Sequence, residues 1–357
     1  MTSAAGGPPV QATWPDLLTS LLHRHDLTTA QTAWAMTQIM TGDATPTQVA
    51  GFAIALRAKG ETSDEVTGLA ATMIEFAAPV PPVGPALDIV GTGGDRSHTV
   101  NISTMAAIVA AAAGVRVAKH GNRAASSSCG AADVLEELGV AIELTGAAVA
   151  SCVSEAGIGF CFAPVFHPAL RHAAVPRREL GVPTVFNFLG PLTNPARPTA
   201  NAVGVADPNM AAVVAGVLAK RGNRALVFRG DDGLDELTTT TTSQVWVVAD
   251  GVVTPTVLDP SALGIKPAQP EELRGADARH NAEVVRRLLS GDMGPVRDAV
   301  VLNAAAGVIA YEGPDVGRLV EQLKSAMVRC AAAIDDGSGA RKLEIWIAAS
   351  QAARASA

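Results

Sequence analysis

One stretch limits what this chain can fold into more than any other. Between Asp88 and Asp133 it reads DIVGTGGDRSHTVNISTMAAIVAAAAGVRVAKHGNRAASSSCGAAD. Leu87–Val90 is a short apolar run of the kind that fills a buried strand, and Gly91-Thr92-Gly93-Gly94-Asp95 interrupts it. Glycines allow positive φ and let the backbone approach a ligand closely, so that successive N–H groups converge on an anion. Asn101-Ile102-Ser103-Thr104 then opens an alanine-rich helix, whose first turn adds free N–H groups and a partial positive charge. After Gly114, Val115–Ala118 reads as a second strand that delivers Lys119-His120-Gly121-Asn122-Arg123 at its end. Ser126-Ser127-Ser128 follows at the start of the next helix. Two polar turns after two successive parallel strands lie side by side at the carboxyl edge of a sheet, where open α/β sheets bind ligands.

The turn chemistry narrows the anion. A P-loop closes on Gly-Lys-Ser/Thr, whereas Gly94 is followed by Asp95-Arg96. A dinucleotide fingerprint needs a third glycine where Arg96 stands. It also needs an acid after the second strand, where this chain has Lys119 and His120. A ligand negative at both turns, such as a sugar carrying two phosphate groups, fits both. Asp95 suits a ribose hydroxyl or a metal-bound water better than a bare phosphate.

GTGGD, NIST and KHGNRAASS, in this order and spacing, resemble the anthranilate phosphoribosyltransferase family of tryptophan biosynthesis. The resemblance covers nearly the whole chain. It implies transfer of the phosphoribosyl group of phosphoribosyl diphosphate to the amine of anthranilate, giving N-(5-phosphoribosyl)anthranilate and diphosphate. It also implies Mg²⁺ as cofactor, a homodimer, and a nucleoside phosphorylase/phosphoribosyltransferase-like fold with its active site in a cleft between two domains. Matched position by position, the donor is held by Gly91, Gly94, Asp95, Thr99, Asn101, Ile102, Ser103 and Thr104. Lys119, His120, Gly121, Asn122, Arg123, Ala124, Ala125, Ser126, Ser127 and Ala131 complete that set. Gly91, Asn122 and Arg177 meet anthranilate, and Ser103 matches a magnesium ligand. On chemistry alone Ser103-Thr104 as readily caps a helix. Two departures show: Arg96 stands where many members have glycine, and Ala131 where many have a serine that touches the donor.

Asp235-Glu236 follows an apolar run, Ala225–Phe228. Adjacent carboxylates at a strand end suit Mg²⁺, which takes one or two carboxylates plus phosphate oxygens. From the residues alone a solvated acidic turn is the ordinary reading, and the resemblance reverses it. Asp231 and Asp232 read as plain surface charges. Arg177 suits a carboxylate because its planar fork pairs bidentately, against the alternative of a solvated face shared with Arg171 and Arg178. The sequence names no clear proton acceptor; the catalytic residue is open, with His120 as a candidate. With His167 it either lines the acceptor pocket or is a packed, hydrogen-bonded histidine.

Around these motifs the chain divides. Residues 1–12 read as a disordered tail without signal-peptide character. Residues 13–80 read as helices, with capping boxes at Thr28…Gln31, Thr45…Gln48 and Thr62…Glu65. Four short helices need burial elsewhere, against the second domain or another subunit, and a homodimer through them is expected. The prolines of 81–85 form a linker. Residues 86–350 alternate strand and helix, with strands at Ile158–Ala163, Asn201–Val205, Ala225–Phe228, Val245–Val248 and Val252–Leu258. Helices are expected over Asp133–Leu138, Thr145–Ala156, Met210–Lys220, Asp277–Ser290, Val296–Ala310 and Val316–Asp335. The fold class is therefore α/β, a small all-helical domain plus a larger one with a mostly parallel sheet flanked by helices. The last two strands, joined at Asp250-Gly251, form an edge hairpin. A helical excursion, 167–196, returns to the helical domain in space.

Composition limits the partners. A formal charge of −7 and a pI of about 5.5 argue against nucleic acid or an anionic membrane surface. The four cysteines, Cys129, Cys152, Cys161 and Cys330, have neither metal nor disulfide spacing and read as reduced core residues of a cytoplasmic protein. His23 and His25 lack further ligands nearby. Two rival readings fit less well. A pyrimidine nucleoside phosphorylase needs a different basic turn. A non-catalytic, nucleic-acid-binding relative is at odds with the acidic pI and with Asp235-Glu236.

Overall fold

The structure, a computed structural model, describes residues 12–124 and 128–356. The expected amino-terminal tail therefore lies almost wholly outside the described residues, as do Ala125, Ser126 and Ser127. Helices α1 (Trp14–Leu22), α2 (Thr29–Thr41), α3 (Pro46–Lys59) and α4 (Ser63–Glu75) open the chain. They are followed by β1 (Leu87–Gly91), α5 (Ile102–Ala112), β2 (Val117–Gly121), α6 (Ala131–Leu138), α7 (Gly146–Ala156) and β3 (Ile158–Phe162). The short α8 (Ala163–Phe166) and α9 (Arg171–Leu180) lead to β4 (Ala200–Gly204), α10 (Ala211–Lys220) and β5 (Arg224–Gly230). Strands β6 (Ser243–Ala249) and β7 (Val252–Leu258) precede α11 (Ala278–Leu289), α12 (Pro295–Glu312), α13 (Leu319–Asp335) and α14 (Ser338–Ala355). No described helix is long and apolar enough to cross a membrane.

Two compact units result: the residues up to Phe76 with Ala169–Phe186, and Ala77–Pro168 with Asn187–Ala357. Residues 187–196, expected with the helices, lie with the second unit. Their carbonyls and Asn194 bond to its strands and to the end of α8: Gly190 O to His120, Thr193 O to His167, and the Asn194 amide to Asp88.

In the helical unit each expected capping box forms, at Thr28, Thr45 and Thr62. The third box does more than cap. Glu65 is fully buried and accepts from the N–H groups of Thr62 and Leu27, each at 2.8 Å. The Lys59 ammonium meets it at 2.9 Å and reaches the exposed Asp26 at 2.7 Å. One carboxylate thus joins the start of α4 to the end of α3 and to the loop before α2. Trp14 packs between Trp34 and Phe52, with ring centroids 5.3 and 5.8 Å away. Gly68 brings α4 onto α2, since a Cβ there would lie 2.2 Å from the Thr29 carbonyl.

The α/β unit is built on a seven-stranded sheet in the order β3-β2-β1-β4-β5-β6-β7. The first five strands are parallel and the last two antiparallel. Asp250 and Gly251 join β6 to β7 with φ of 51° and 76°, the two left-handed residues that a tight hairpin requires. Helices α5 and α12 fill the core, and α12 is buried continuously from Ala299 to Ala310. Gly307 seats it on β1, where a Cβ would meet Ile89 at 2.6 Å.

Most expected ranges shift by a residue or two at their ends, and three differences change the reading. The second strand runs Val117–Gly121 rather than Val115–Ala118, so Lys119 and His120 are buried within it instead of standing in a polar turn. Helix α6 begins at Ala131 with Gly130 as its cap, and Ser126 and Ser127, expected at its start, lie outside the described residues. Val316–Arg318 is a separate short turn before α13.

Replacing Glu65 by alanine leaves Lys59 and two amides without their buried partner. The variant is expected to lose about 3–5 kcal/mol of unfolding free energy in urea titrations. Asp26→Ala, at the exposed end of the same bridge, is expected to lose less than about 1 kcal/mol.

Candidate active site

Strands β1 and β4 run in register from Leu87↔Ala200 to Gly91↔Gly204. The chain order reverses between them, because β2 lies on the far side of β1. The crevice beyond such strand ends is the ligand-binding position of open α/β sheets. Both strands end in glycine, and both glycines are required by what crosses them. A Cβ on Gly204 would sit 1.4 Å from the Asp235 carbonyl oxygen, and one on Gly91 would sit 2.2 Å from Asp235 Oδ2. The Gly93 N–H donates to the same carboxylate at 2.6 Å, so the glycine turn is latched onto an acid. Gly204 was not among the expected site residues. Its only sequence signal is a glycine closing an apolar run.

Asp95, Asp235 and Glu236 each offer an oxygen within 4.8 Å of the others. Asp235 and Glu236 are 7% and 9% exposed, so neither is the solvated turn that composition suggests. Burial, then repulsion within the trio, raises the pKa of both above the usual carboxylate range, and Glu236 Oε2 has no partner. A buried oxygen set of this charge matches what a hard divalent cation takes. Asp231 and Asp232 are exposed, as expected of surface charges, and also hold the turn. The Asp232 carboxylate accepts from Leu234 N–H at 3.1 Å, from the Thr238 hydroxyl at 2.7 Å and from the Thr240 hydroxyl. Asp231 accepts from Thr242 and Gln244. Together they fold the turn that returns Asp235-Glu236 to the strand ends.

Opposite the acids stands Lys119, 1% exposed, its ammonium donating to Ile89 O at 2.5 Å and to Ser103 Oγ at 3.4 Å. Burial brings its pKa down to about 8, against the pull of Asp88, Glu236 and Asp235. Asp88 is buried on β1 and raised to about 6 by desolvation, with Lys119, the Asn194 amide and His120 N–H holding it down. Strands β1 and β2 share ladder register only at Leu87↔Val117. Beyond that pair, Asp88 and Lys119 bridge the two strands with side chains.

The remaining expected donor positions divide by what they already hold. Gly94, at φ 88°, is exposed in the glycine turn, and Asp95 accepts from Ser97 N–H. Thr99 forms a lone bridge with Arg274. Asn101 begins α5, but its side chain bonds Cys129 O and Asn281 instead of capping. Ile102 is buried with its N–H on Val100 O, and Thr104 is buried with an unpartnered hydroxyl. Gly121 lets β2 pack against Phe160 and Ala131. Asn122 is exposed. Arg123 reaches Asp133 at 3.0 Å and Glu136 at 2.9 Å, while Asp133 also accepts from Ala124 and Gly130 N–H.

His120 and His167 are each 3% exposed, with ring centroids 5.4 Å apart. A carbonyl can only accept, so its partner nitrogen carries the proton. His120 Nδ1–H donates to Gly190 O at 2.9 Å, and His167 Nε2–H donates to Thr193 O at 2.8 Å. His120 Nε2 and His167 Nδ1 are therefore bare lone pairs without partners. Burial keeps both rings neutral, with pKa values down to about 3 and about 4. In the helical unit, Arg177 lies 5.6 Å from the Phe186 ring centroid, and burial lowers its pKa. Arg178 is exposed, so the two arginines are not equivalent. Pro176 neither starts nor ends α9, which continues through it.

Residues 83–340 match the glycosyl transferase family, a/b domain, and residues 15–77 its helical bundle domain. The anthranilate phosphoribosyltransferase of Acidothermus cellulolyticus is 70% identical over 341 residues, 96% of each chain. The chain belongs to the anthranilate phosphoribosyltransferase family. The solved family member from Thermus thermophilus superposes with a TM-score of 0.87 at 42% identity, covering 94% of this chain and 99% of that one. The Saccharomyces cerevisiae anthranilate phosphoribosyltransferase, solved in complex with PRPP and Mg, superposes with a TM-score of 0.85 at 27% identity, covering 95% and 98%.

Because the fold holds His167 neutral, its contribution to stability is complete above the unfolded value near 6.5. That contribution is lost as pH falls towards the folded value of about 4. Asp88 works in the opposite sense, since its folded pKa is raised. The informative quantity is thus the difference in unfolding free energy between the native chain and His167→Gln. It is expected to shrink by up to about 2 kcal/mol between about pH 7 and about pH 5.

Proposed function

We infer that this chain transfers the phosphoribosyl group of phosphoribosyl diphosphate to the amine of anthranilate, releasing diphosphate. The observation that carries this reading is the trio Asp95, Asp235 and Glu236, the last two buried and Asp95 half-buried, beside a glycine turn at the sheet's switch point. Breaking the C1–O bond builds positive charge on the ribose and negative charge on the leaving diphosphate. The protein's task is to stabilise the leaving group and to align the amine behind C1. The glycine turn, the first turn of α5 with Ser103 and Thr104, and the Lys119–Ala131 segment bind the donor. Asp95, Asp235 and Glu236, with Ser103, would hold Mg²⁺, which when bound supplies positive charge to the diphosphate. Lys119 keeps a cation beside these acids before substrate arrives.

The acceptor is positioned by its carboxylate through Arg177, whose partly desolvated guanidinium strengthens such a pair. Gly91 and Asn122 are the further acceptor contacts. An aryl amine is uncharged at neutral pH and needs no base before attack. Its proton leaves afterwards, and the bare Nε2 of His120 is the candidate acceptor, a weak base while its ring is buried.

The enzyme works as a cytoplasmic homodimer assembled through its helical unit, which exposes Leu22 at 76% and Ile54 at 39%. Light scattering at micromolar concentration should give about twice the 36.3 kDa chain mass.

Loss of anthranilate fluorescence that requires both phosphoribosyl diphosphate and Mg²⁺ tests the activity. Replacing Asp235 and Glu236 together by alanine should lower turnover and change its magnesium profile, and an unchanged profile would remove them from the metal site. Arg177→Ala should lower kcat/KM for anthranilate by roughly ten- to a hundredfold, the equivalent of about 1.5–3 kcal/mol. Donor binding should hardly change, Arg177→Lys should recover part of the loss, and Arg178→Ala should be nearly silent.

A further inference from the structure

Helix α12 contains one polar side chain in its continuously buried run, Asn303, which is 1% exposed. Its Oδ1 accepts from the Leu237 N–H at 3.0 Å, and its Nδ2 donates to the Leu237 carbonyl at 2.9 Å. The second Nδ2 hydrogen goes to Ala299 O, one turn back on α12, at 2.9 Å. The amide therefore pairs with a peptide unit as a neighbouring strand would, with both donors engaged. Leu237 directly follows the carboxylate pair and is itself buried. On the opposite side, the Asp235 backbone lies against Gly204, and its carboxylate takes the Gly93 N–H. Three mutually repelling acids, two of them buried, tend to move apart, and this dipeptide is gripped at both ends by groups that carry no charge.

We propose that Asn303 is a positioning residue for the metal site: by fixing both backbone groups of Leu237, it aims the Asp235 and Glu236 carboxylates at a divalent cation. This rests on the metal reading given above. A core asparagine that merely satisfies its own amide would make no such demand on the acids. Asn303 acts through Leu237 and touches neither substrate nor cation. Its support is rigid, because Gly307 holds the same helix hard against β1.

The test is a Mn²⁺ titration followed by the electron paramagnetic resonance of the free ion, in the presence of diphosphate. It compares the full-length native chain, Asn303→Ala and Val308→Ala. Val308 is buried on the same helix, so its variant reports what loosening α12 does by itself. Asn303→Ala is expected to weaken Mn²⁺ binding by about tenfold, the usual size of an outer-shell effect on metal affinity. Val308→Ala should leave it unchanged, and turnover of Asn303→Ala should recover at high Mg²⁺. If Asn303→Ala does not fold, Asn303→Ser, which keeps one hydroxyl for Leu237, should show the same loss in smaller measure. Equal Mn²⁺ dissociation constants for the native chain and the Asn303 variant, with Mn²⁺ bound by both, would overturn the assignment of Asn303 alone. So would an equal loss in Val308→Ala. No Mn²⁺ binding by the native chain would overturn the metal reading and this assignment with it.

Discussion

A buried excess of negative charge governs this structure. Asp88, Asp235 and Glu236 lie below one tenth exposure, Asp95 joins the latter two, and Lys119 is the buried cation among them. Carboxylates are removed from water at a cost of several kcal/mol each unless hydrogen bonds and opposite charge replace the lost solvation. The surrounding backbone is arranged to supply both. Gly93 gives an amide to Asp235, His120 gives one to Asp88, and Asn194 adds a side-chain donor. Even so, the acid trio is not neutralised: Glu236 retains an unpartnered oxygen, and both members of the pair are shifted towards the protonated form. Such residual imbalance is common where a protein binds a cation, and uncommon where stability alone is at stake.

The same charge set shapes the sheet. Where β1 and β2 part beyond Leu87↔Val117, Asp88 and Lys119 replace ladder bonds with side-chain bridges. On the other side of β1, the five-pair register with β4 ends in two glycines, and residue 235 crosses them at backbone contact distance. One edge of β1 is thus bridged by charged side chains and the other closed by the absence of side chains. The acids come to the strand ends because no Cβ stands in their way. They stay there because Asn303 and Asp232 organise the loop behind them.

Local signals were legible. Each capping box is a contact between residues three apart, so a short string suffices to specify it, and all three form. The Asp250-Gly251 hairpin and the strand–helix alternation were readable for the same reason. Helix α14 was not, because its buried stripe is only Gly339, Leu343, Trp346 and Ser350, two of them carrying no apolar weight. Lys119 was misplaced because hydropathy puts a lysine after a strand, not in it. Only acids brought from residues 88, 235 and 236 make its burial tolerable. Asp231 and Asp232 are surface charges as read, but their threonine partners were not legible because those carry no motif.

The sequence by itself determined the fold class, the glycine turn, the acidic pair and the family, since these rest on composition, short spacings and contiguous motifs. Tertiary structure alone decided that Gly204 must lack a side chain and that Asn303 must carry an amide. It also left His120 and His167 neutral, with bare lone pairs. The physical reason is separation along the chain. Gly93 meets Asp235 across 142 residues and Leu237 meets Asn303 across 66, and no local pattern encodes a contact between segments so far apart. Burial then fixes the chemistry of those contacts, because a desolvated group's protonation depends on neighbours that only folding supplies.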